Sequence, residues 1–523
     1  MKFNYRKRFR NFIMLPVAAL CVATGYGETV RGGQSLSRPN IIVILADDMG
    51  YSDLGSYGSE IATPHIDRLA EGGLRFTQVY NTSKCFPSRA ALLTGVYAQQ
   101  VGYGESGGYK NTIQNAITLG ELLQQLGYRT YWSGKHHGVE NPTTRGFDRY
   151  SGLRDGGCNY FNPGNQRPGE PVPARKPNRP PRVWRIDGKT YEPYTPEDPD
   201  FYTTDAFTDY ALEWLENHDT TESPFFLYLS YTAPHDPLMA WPEDIAKYEG
   251  VYDEGYASIR RQRFERQRGL GLWEDDAILS APTHRNWEDL SKPEKKEQIR
   301  KMEVYAAMID RMDQNVGRIL NQIREMGVEK NTLILVASDN GASAEVVKIN
   351  ESGTIGTMDR WSSLGPDWAN VSNTPFRLFK NDSYEGGIRT PFIAYWPEGI
   401  KGDDRITDVP AHFIDIMATF VDITGSHYPK EFNGETLTPL QGRSLLPVFR
   451  GASRLSERPL YWEWREGRAV RLGDWKLVTG GEEWELFNMK SDPSEMQNLA
   501  GTHTGIRDAL ITLHDLWRNR VMD

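Results

Sequence analysis

"NIIVILADD", residues Asn40 to Asp48, is the stretch on which the fold turns. Six apolar residues run without a polar interruption and stop at a pair of aspartates. A strand with one wet face would alternate apolar and polar side chains, so this run predicts a strand covered on both faces. Three more runs have the same texture: "YRTYWSGKHH" (Tyr128 to His137), "PFFLYLSYTAPH" (Pro224 to His235) and "NTLILVASDNG" (Asn331 to Gly341). Helical spacing lies between them, in "TLGELLQQLG" and in "EVYAAMIDRMDQNVGRILNQIREMG", which stops at Gly327. Strand and helix in alternation predict an α/β fold with a mostly parallel sheet flanked by helices.

Each predicted strand delivers polar groups at its carboxyl end. The first ends in Asp47-Asp48, the second leads to Lys135 and His137, the third to His235, and the fourth to Asp339-Asn340. Open α/β sheets bind ligands beyond that edge. Taken singly, each residue has an ordinary reading as a helix cap, a turn residue or a loop histidine. Together, Asp47, Asp48, Asp339 and Asn340 supply three carboxylates and a carboxamide. These are hard oxygen donors suited to Ca²⁺ or Mg²⁺ and unsuited to zinc. Lysines and histidines beside such a cage would face an anion held on the cation.

"CFPSRAALLTG", Cys85 to Gly95, adds a reactive element. A chance match to Cys-x-Pro-Ser-Arg is on the order of one in a thousand for a chain of this length. A free cysteine is ordinarily a small buried hydrophobe, and a thiol nucleophile is the second reading. Here the cysteine stands ahead of "SRAALLTG", which reads as a helix start, where the dipole favours negative charge.

These segments are similar to those of the type I, formylglycine-dependent sulfatases, arylsulfatase-like branch, of the alkaline-phosphatase-like superfamily. The likeness extends through "RPNIIVILADDMGYSDLGSYG", "GYRTYWSGKHH", "FFLYLSYTAPHDPL", "NTLILVASDNG", "FKNDSYEGGIRTPFI" and "WELFNMKSDPSEMQNLA", in family order from Arg38 to Ala500. "DPDFYTTDAFTDYALEWL" resembles the arylsulfatase branch. The resemblance implies an alkaline-phosphatase-like sheet and a small C-terminal domain built of an antiparallel sheet plus a helix. It implies that Cys85 becomes formylglycine through a maturation enzyme, acts as nucleophile and touches the metal, with Arg89 holding it. It also implies one Ca²⁺ per chain on Asp47, Asp48, Asp339 and Asn340. Lys135 and Lys380 would hold sulfate oxygens, His137 would work on the nucleophile's hydroxyls, and His235 would protonate the leaving group. A hydrated aldehyde carries two hydroxyls on one carbon. One attacks sulfur and expels the alcohol, and the other, once deprotonated, collapses to the aldehyde and releases sulfate, an exit that a serine lacks.

The implied activity is hydrolysis of sulfate monoesters, with a terminal sugar of a sulfated glycan as the expected substrate and a galactose sulfate as the specific guess. The alternatives are an arylsulfatase or a phosphonate or phosphate monoester hydrolase with the same nucleophile. An alternative of another class is a catalytically silent glycan-binding protein.

Composition bounds these readings. The chain has 523 residues and three cysteines, Cys21, Cys85 and Cys158, which is no disulfide framework. With 60 Lys and Arg against 70 Asp and Glu the formal charge is −10, and losing the five basic residues before Asn11 would leave −15. A net-acidic chain is a poor generic binder of nucleic acid, so any anion must be met in a local positive pocket. "MKFNYRKRFRN" followed by "FIMLPVAALCVA" reads as an export signal over residues 1–25, too short to span a membrane comfortably. Export to the periplasm or beyond is therefore expected, with no stable membrane span.

The catalytic domain is expected over 38–430 and the small domain over 431–523. In the latter, "PLYWEWREGRAVRLGDWKLVTGGEEWELFNM" reads as an antiparallel meander and "TGIRDALITLHDLWRNRVMD" as an amphipathic helix. Residues 161–200 hold ten prolines and exclude a regular helix or a central strand. They read either as a surface excursion or as a wall over the pocket, and Arg175, Lys176, Arg179 and Arg182 either face an anionic glycan or are solvated. "IRRQRFERQRGLG" reads as a solvated or ion-paired helix face, and Cys158 as a buried or pocket-lining thiol without a partner.

Overall fold

The computed structural model describes residues 38–104 and 112–522. The expected export signal and Cys21 lie outside the described residues. The first eight strands are β1 (Asn40–Asp47), β2 (Leu74–Tyr80), β3 (Arg129–Gly134), β4 (Arg149–Leu153), β5 (Trp184–Ile186), β6 (Lys189–Tyr191), β7 (Phe225–Pro234) and β8 (Thr332–Ser338). They join one large sheet in the order Ile406–Thr407, β2, Arg389–Tyr395, β8, β1, β7, β3, β4, β5, β6. β8, β1, β7, β3 and β4 run parallel, whereas Arg389–Tyr395 runs antiparallel to β8 and β2.

The continuous apolar texture of β1 has a direct cause. Ile42 and Ile44 point into one core and Ile41, Val43 and Leu45 into the other, so both faces are covered. Burial of each such side chain stabilises by about 1.5–3 kcal/mol. In register, Ile41 lies beside Leu333 on one side and Phe226 on the other, and Ala46 beside Ser338. The carboxyl ends of β8, β1, β7 and β3 therefore come out side by side.

The first seven α-helices are α1 (Pro64–Gly72), α2 (Cys85–Thr94), α3 (Leu119–Gln125), α4 (Thr203–Glu216), α5 (Pro242–Ala246), α6 (Tyr256–Gly269) and α7 (Lys292–Glu325). α7 starts well before its apolar spacing does. Ser291 and Glu294 form a reciprocal cap, and the first turns are polar and largely exposed. The helix gives way at Gly327, whose φ of 71° suits a residue without a side chain.

The arginines of α6 divide between the two expected settings: Arg261 is exposed, Arg266 and Arg268 are half-buried and paired with Glu60 and Asp275, and two more are buried. Arg263 is buried and ion-paired to Asp53 and Glu60, both at 2.6 Å, and buried Arg260 donates to Ser280. A guanidinium is buried where carboxylates from another segment meet it, and that meeting has no signature in the local sequence.

Near the C-terminus, strands Leu460–Trp464, Gly467–Leu472, Trp475–Thr479 and Glu485–Asn488 form an antiparallel four-stranded sheet. Helix Thr504–Met522 packs on it, with Trp517 stacked on Tyr461 at a 4.8 Å centroid distance. The sheet is tied to the rest of the fold by a buried charge cluster. Lys476 Nζ lies 2.7 Å from both Glu385 and Glu495, and Arg389 lies 3.1 Å from Glu385.

Candidate active site

The polar residues beyond β8, β1, β7 and β3 converge in one buried layer. Gly134 closes β3 at φ 116°, and a Cβ there would lie 2.0 Å from the Ser230 carbonyl oxygen. Only glycine allows that close approach, and it turns Lys135 under the sheet edge. Lys135 Nζ donates to Asp47, and Lys380 Nζ donates to Asp48 at 2.7 Å. Asn340 Nδ2 donates to Asp48 Oδ1 at 2.6 Å, and the Asp48 N–H points to Asp339 Oδ1 at 3.3 Å.

Cys85 is the first residue of α2, and Lys84 before it is extended. Arg89 follows one turn later on the same face. Its Nε and Nη2 each lie 2.8 Å from Asp339 Oδ2, its Nη1 donates to the Lys135 carbonyl at 3.2 Å, and its Nη2 is 3.9 Å from Asp47. Asp339 and Asp47 more than offset the cost of burying this guanidinium and hold it firmly protonated. Burial, with repulsion from Asp47, pushes Asp339 up to about 6. Burial also works against the Lys380 charge, but Asp48 overcomes it and raises its pKa well above the usual lysine range.

Two oxygens in this layer, Asp47 Oδ1 and Asn340 Oδ1, are buried and accept no hydrogen bond from the described residues. An unsatisfied buried acceptor is costly unless something positive meets it. Three buried carboxylates and a carboxamide oxygen are donors of the type that Ca²⁺ or Mg²⁺ takes. The residues present therefore fit a hard divalent cation. His235 also falls within reach. Asp47, Asp48 and His235 can place one ligand atom each within 4.8 Å of one another.

A cavity of about 440 Å³ opens above this layer, and Cys85, His137, His235 and Lys380 line it. Asp47, Asp48, Arg89, Lys135, Asp339 and Asn340 are buried, and the cavity-lining Lys380 and His235 reach this cluster through Asp48. His235 Nδ1 is 2.6 Å from the Asp236 carbonyl oxygen and 2.9 Å from its carboxylate, which leaves Nε2 facing Asp48 at 3.7 Å. His137 is held neutral, first by burial and then by Lys135 and Arg89. His136, extra within its motif, sits edge-on to Trp132 at 5.0 Å, and burial pushes its pKa down to about 3. Asp48 and His137 have φ of 66° and 58°, left-handed conformations unusual for residues with side chains and common at functional sites.

Several site features have no reading in the sequence. Gly156 and Gly157 back the two histidines. A Cβ at Gly156 would lie 2.7 Å from His137 Nε2, and one at Gly157 would lie 3.3 Å from His235 Cε1. The doublet in "GGCNYF" is the one local signal for this approach. Glu345 lines the cavity and lies 3.6 Å from Lys84 and 3.9 Å from Lys380. Trp464 and Arg465 enter from a hairpin tip more than 300 residues beyond Cys85, with Arg465 at φ 55°. Lys176, Arg179 and Arg182 of the proline-rich segment also line the cavity, so part of that segment is a pocket wall. Cys158 is buried and forms no disulfide among the described residues, and burial pushes its thiol up to about 12.

The family model described as Sulfatase matches residues 39–426, and that described as N-sulphoglucosamine sulphohydrolase, C-terminal, matches 376–516. The chain is 33% identical to an uncharacterised sulfatase of Schizosaccharomyces pombe, over 91% of this chain and 92% of that one. It is 34% identical to an arylsulfatase of Klebsiella aerogenes, over 79% and 92%. The solved structure of Ps i-CgsB in complex with k-i-k-neocarrahexaose superposes with a TM-score of 0.66 at 26% identity, covering 92% of this chain and 93% of that one.

Proposed function

The chain belongs to the sulfatase family and is a sulfuric ester hydrolase of alkaline-phosphatase-like fold, and from that premise we propose a calcium-dependent, formylglycine-dependent enzyme acting on a terminal sugar of a sulfated glycan. One observation carries the reading: Cys85 opens α2 and lines a cavity beside Lys380 and His235, which reach Asp48 in a buried cluster of three carboxylates, a carboxamide and Lys135. The sugar preference is supported by the neocarrahexaose bound to the similar solved structure. The proposed galactose sulfate is one member of that class. Export remains part of the proposal, on the basic and apolar leader within residues 1–25.

Asp47, Asp48, Asp339 and Asn340 would hold the calcium, with the modified Cys85 beside it, and the ion would supply positive charge against the sulfate oxygens. A formylglycine at Cys85 would supply a geminal diol as nucleophile. The other residues hold and move protons and charge. Arg89 is locked by Asp339 and by the Lys135 carbonyl, so its charge stays fixed one turn from Cys85. Lys135 and Lys380 bring two further cations to a water-poor layer, where they favour charge that builds on the sulfuryl group. Neutral His137 suits a proton acceptor on the nucleophile's side. Because Nδ1 of His235 faces Asp236, Nε2 is the nitrogen that would give a proton to the departing oxygen.

The test is a panel of defined sulfated saccharides, given to protein co-expressed with a formylglycine-generating enzyme and loaded with calcium. Release of sulfate from a terminal sugar is the expected result. Turnover of phosphate or phosphonate monoesters in preference to every sulfate ester would overturn the proposal. Saccharide binding without any turnover by matured protein would show a silent binder instead.

A further inference from the structure

The proline-rich segment separates two cavities. One is the 440 Å³ catalytic pocket, and the other, of about 510 Å³, lies against Cys158, Asn159, Asn162 and Arg175. Lys176, Arg179, Arg182 and Trp361 line both. Among the described residues, the second cavity thus has four cationic side chains on its walls and no aspartate or glutamate. That is a strong local excess in a chain whose formal charge is −10. Among the described residues, none of the four cations is ion-paired. Lys176 instead sits 5.1 Å over the ring of Trp361.

The wall is built to keep its shape. The Ala174 N–H donates to the Met358 carbonyl at 2.8 Å, and Asn159 Nδ2 donates to the same carbonyl at 2.7 Å. At the far end the Val183 N–H donates to buried Asp155 at 2.7 Å, and β5 continues into the sheet edge. Between these anchors stand Pro177, Pro180 and Pro181. They restrict the backbone, so less freedom is lost when a ligand seats on it. Arg175 and Arg179 are exposed and Lys176 and Arg182 half-buried, so the charges are accessible to a ligand on this wall. Guanidinium forks match the planar pairs of oxygens on sulfate and carboxylate.

We propose that the second cavity is an anion subsite for the sugar next to the one bearing the scissile sulfate. The preferred substrate is then a saccharide with a second acidic group, a sulfate or a uronate carboxylate, met by Arg179 and Arg182 at the shared wall and by Arg175 beyond it. The inference rests on the sulfatase reading of the catalytic pocket and adds the charge of the neighbouring sugar.

The experiment uses matured, calcium-loaded full chain and two pairs of disaccharides. Each pair carries the same terminal sulfate. In the first the neighbouring sugar is neutral or sulfated, and in the second it is neutral or a uronate. A small aryl sulfate, too short to reach the second cavity, is run in parallel. Wild type is expected to prefer the dianionic member by about 10- to 100-fold in kcat/KM, the range of one or two charge-assisted contacts. The preference should sit in KM and shrink with added salt. In Arg179→Gln/Arg182→Gln the ratio between the pair members should fall towards one, and Arg175→Gln should reduce it in part. The pair that shows the larger ratio identifies sulfate or carboxylate as the natural group. Turnover of the aryl sulfate and of both pair members with a ratio near one in wild type would overturn this inference and leave the sulfatase reading standing. A ratio that survives the double substitution would overturn it too. Inactivity on every substrate would sink the catalytic reading and the inference with it.

Discussion

Lys476 lies at the centre of the charge cluster that ties the C-terminal sheet to the rest of the fold, and Lys476→Met is the most informative perturbation of it. The substitution keeps most of the side chain's length and removes its charge. In the native chain Nζ makes two 2.7 Å contacts, to Glu385 and Glu495, and all three side chains are buried. Glu385 keeps Arg389 at 3.1 Å and the Tyr80 hydroxyl at 3.0 Å, whereas Glu495 keeps the Glu385 N–H at 2.9 Å. Removing one partner of a buried ion pair costs about 3–5 kcal/mol. The cost depends on pH through Glu495, whose pKa is raised to about 7, first by burial and then by Glu385, with Lys476 opposing. A carboxyl raised in this way favours the folded chain while protonated. Its contribution is complete below about 4.5 and is lost as pH rises through about 7. From 4.5 to about 7, at about 1.4 kcal/mol per pH unit, that contribution is about 3 kcal/mol. Lys476→Met should raise this pKa further. The variant is therefore expected to fall short of wild type by about 3–5 kcal/mol at pH 8, and by clearly less at pH 5, where Glu495 is protonated in both. Urea unfolding at pH 5, 7 and 8 measures this. A deficit under about 1 kcal/mol at pH 8, or one equal at both ends of the range, would refute the reasoning.

His235→Ala should lose roughly 10²–10⁴-fold in rate on sugar sulfates and far less on an activated aryl sulfate, whose phenolate leaves without a proton; equal losses in kcat/KM on the two would remove His235 from that role. Chelation should abolish turnover and lower the melting temperature, with calcium at a hundredfold excess over its Kd restoring about 2.7 kcal/mol of stability, and Asp339→Ala should respond to neither; full activity of Asp339→Ala in excess chelator would exclude the cage. Mass spectrometry of the "CFPSR" peptide should show the Cys85 thiol replaced by an aldehyde in active preparations, and Cys85→Ala should be inactive while remaining folded by circular dichroism; strong activity from unmodified Cys85 would refute the nucleophile.

Local sequence carried the fold and much of the candidate site. The unbroken apolar run of β1 could only be a strand with cores on both faces, and its two aspartates had to emerge at a sheet edge. Lys135, His235 and Asp339 were legible for the same reason, since each directly follows an apolar strand, and His137 and Asn340 come within two residues of those positions. Cys85 was legible through the Cys-x-Pro-Ser-Arg pattern, although the helix it was expected to precede starts at Cys85 itself.

What chemistry surrounds those groups was settled by contacts between distant segments. The arginines of α6 read as a solvated or ion-paired face, yet Arg263 is buried because Asp53 and Glu60, some 200 residues earlier, meet it. Arg465 reaches the catalytic cavity from a hairpin near the C-terminus, and Lys176, Arg179 and Arg182 from a segment whose composition fits a wall as well as a loose excursion. Side-chain periodicity encodes which way a residue points relative to its own element, so buried strands and the ends they deliver can be read along the chain. Whether a charge is paired, buried or left facing a cavity depends on which carboxylates or aromatic rings lie within a few ångströms, and only chain packing brings those together.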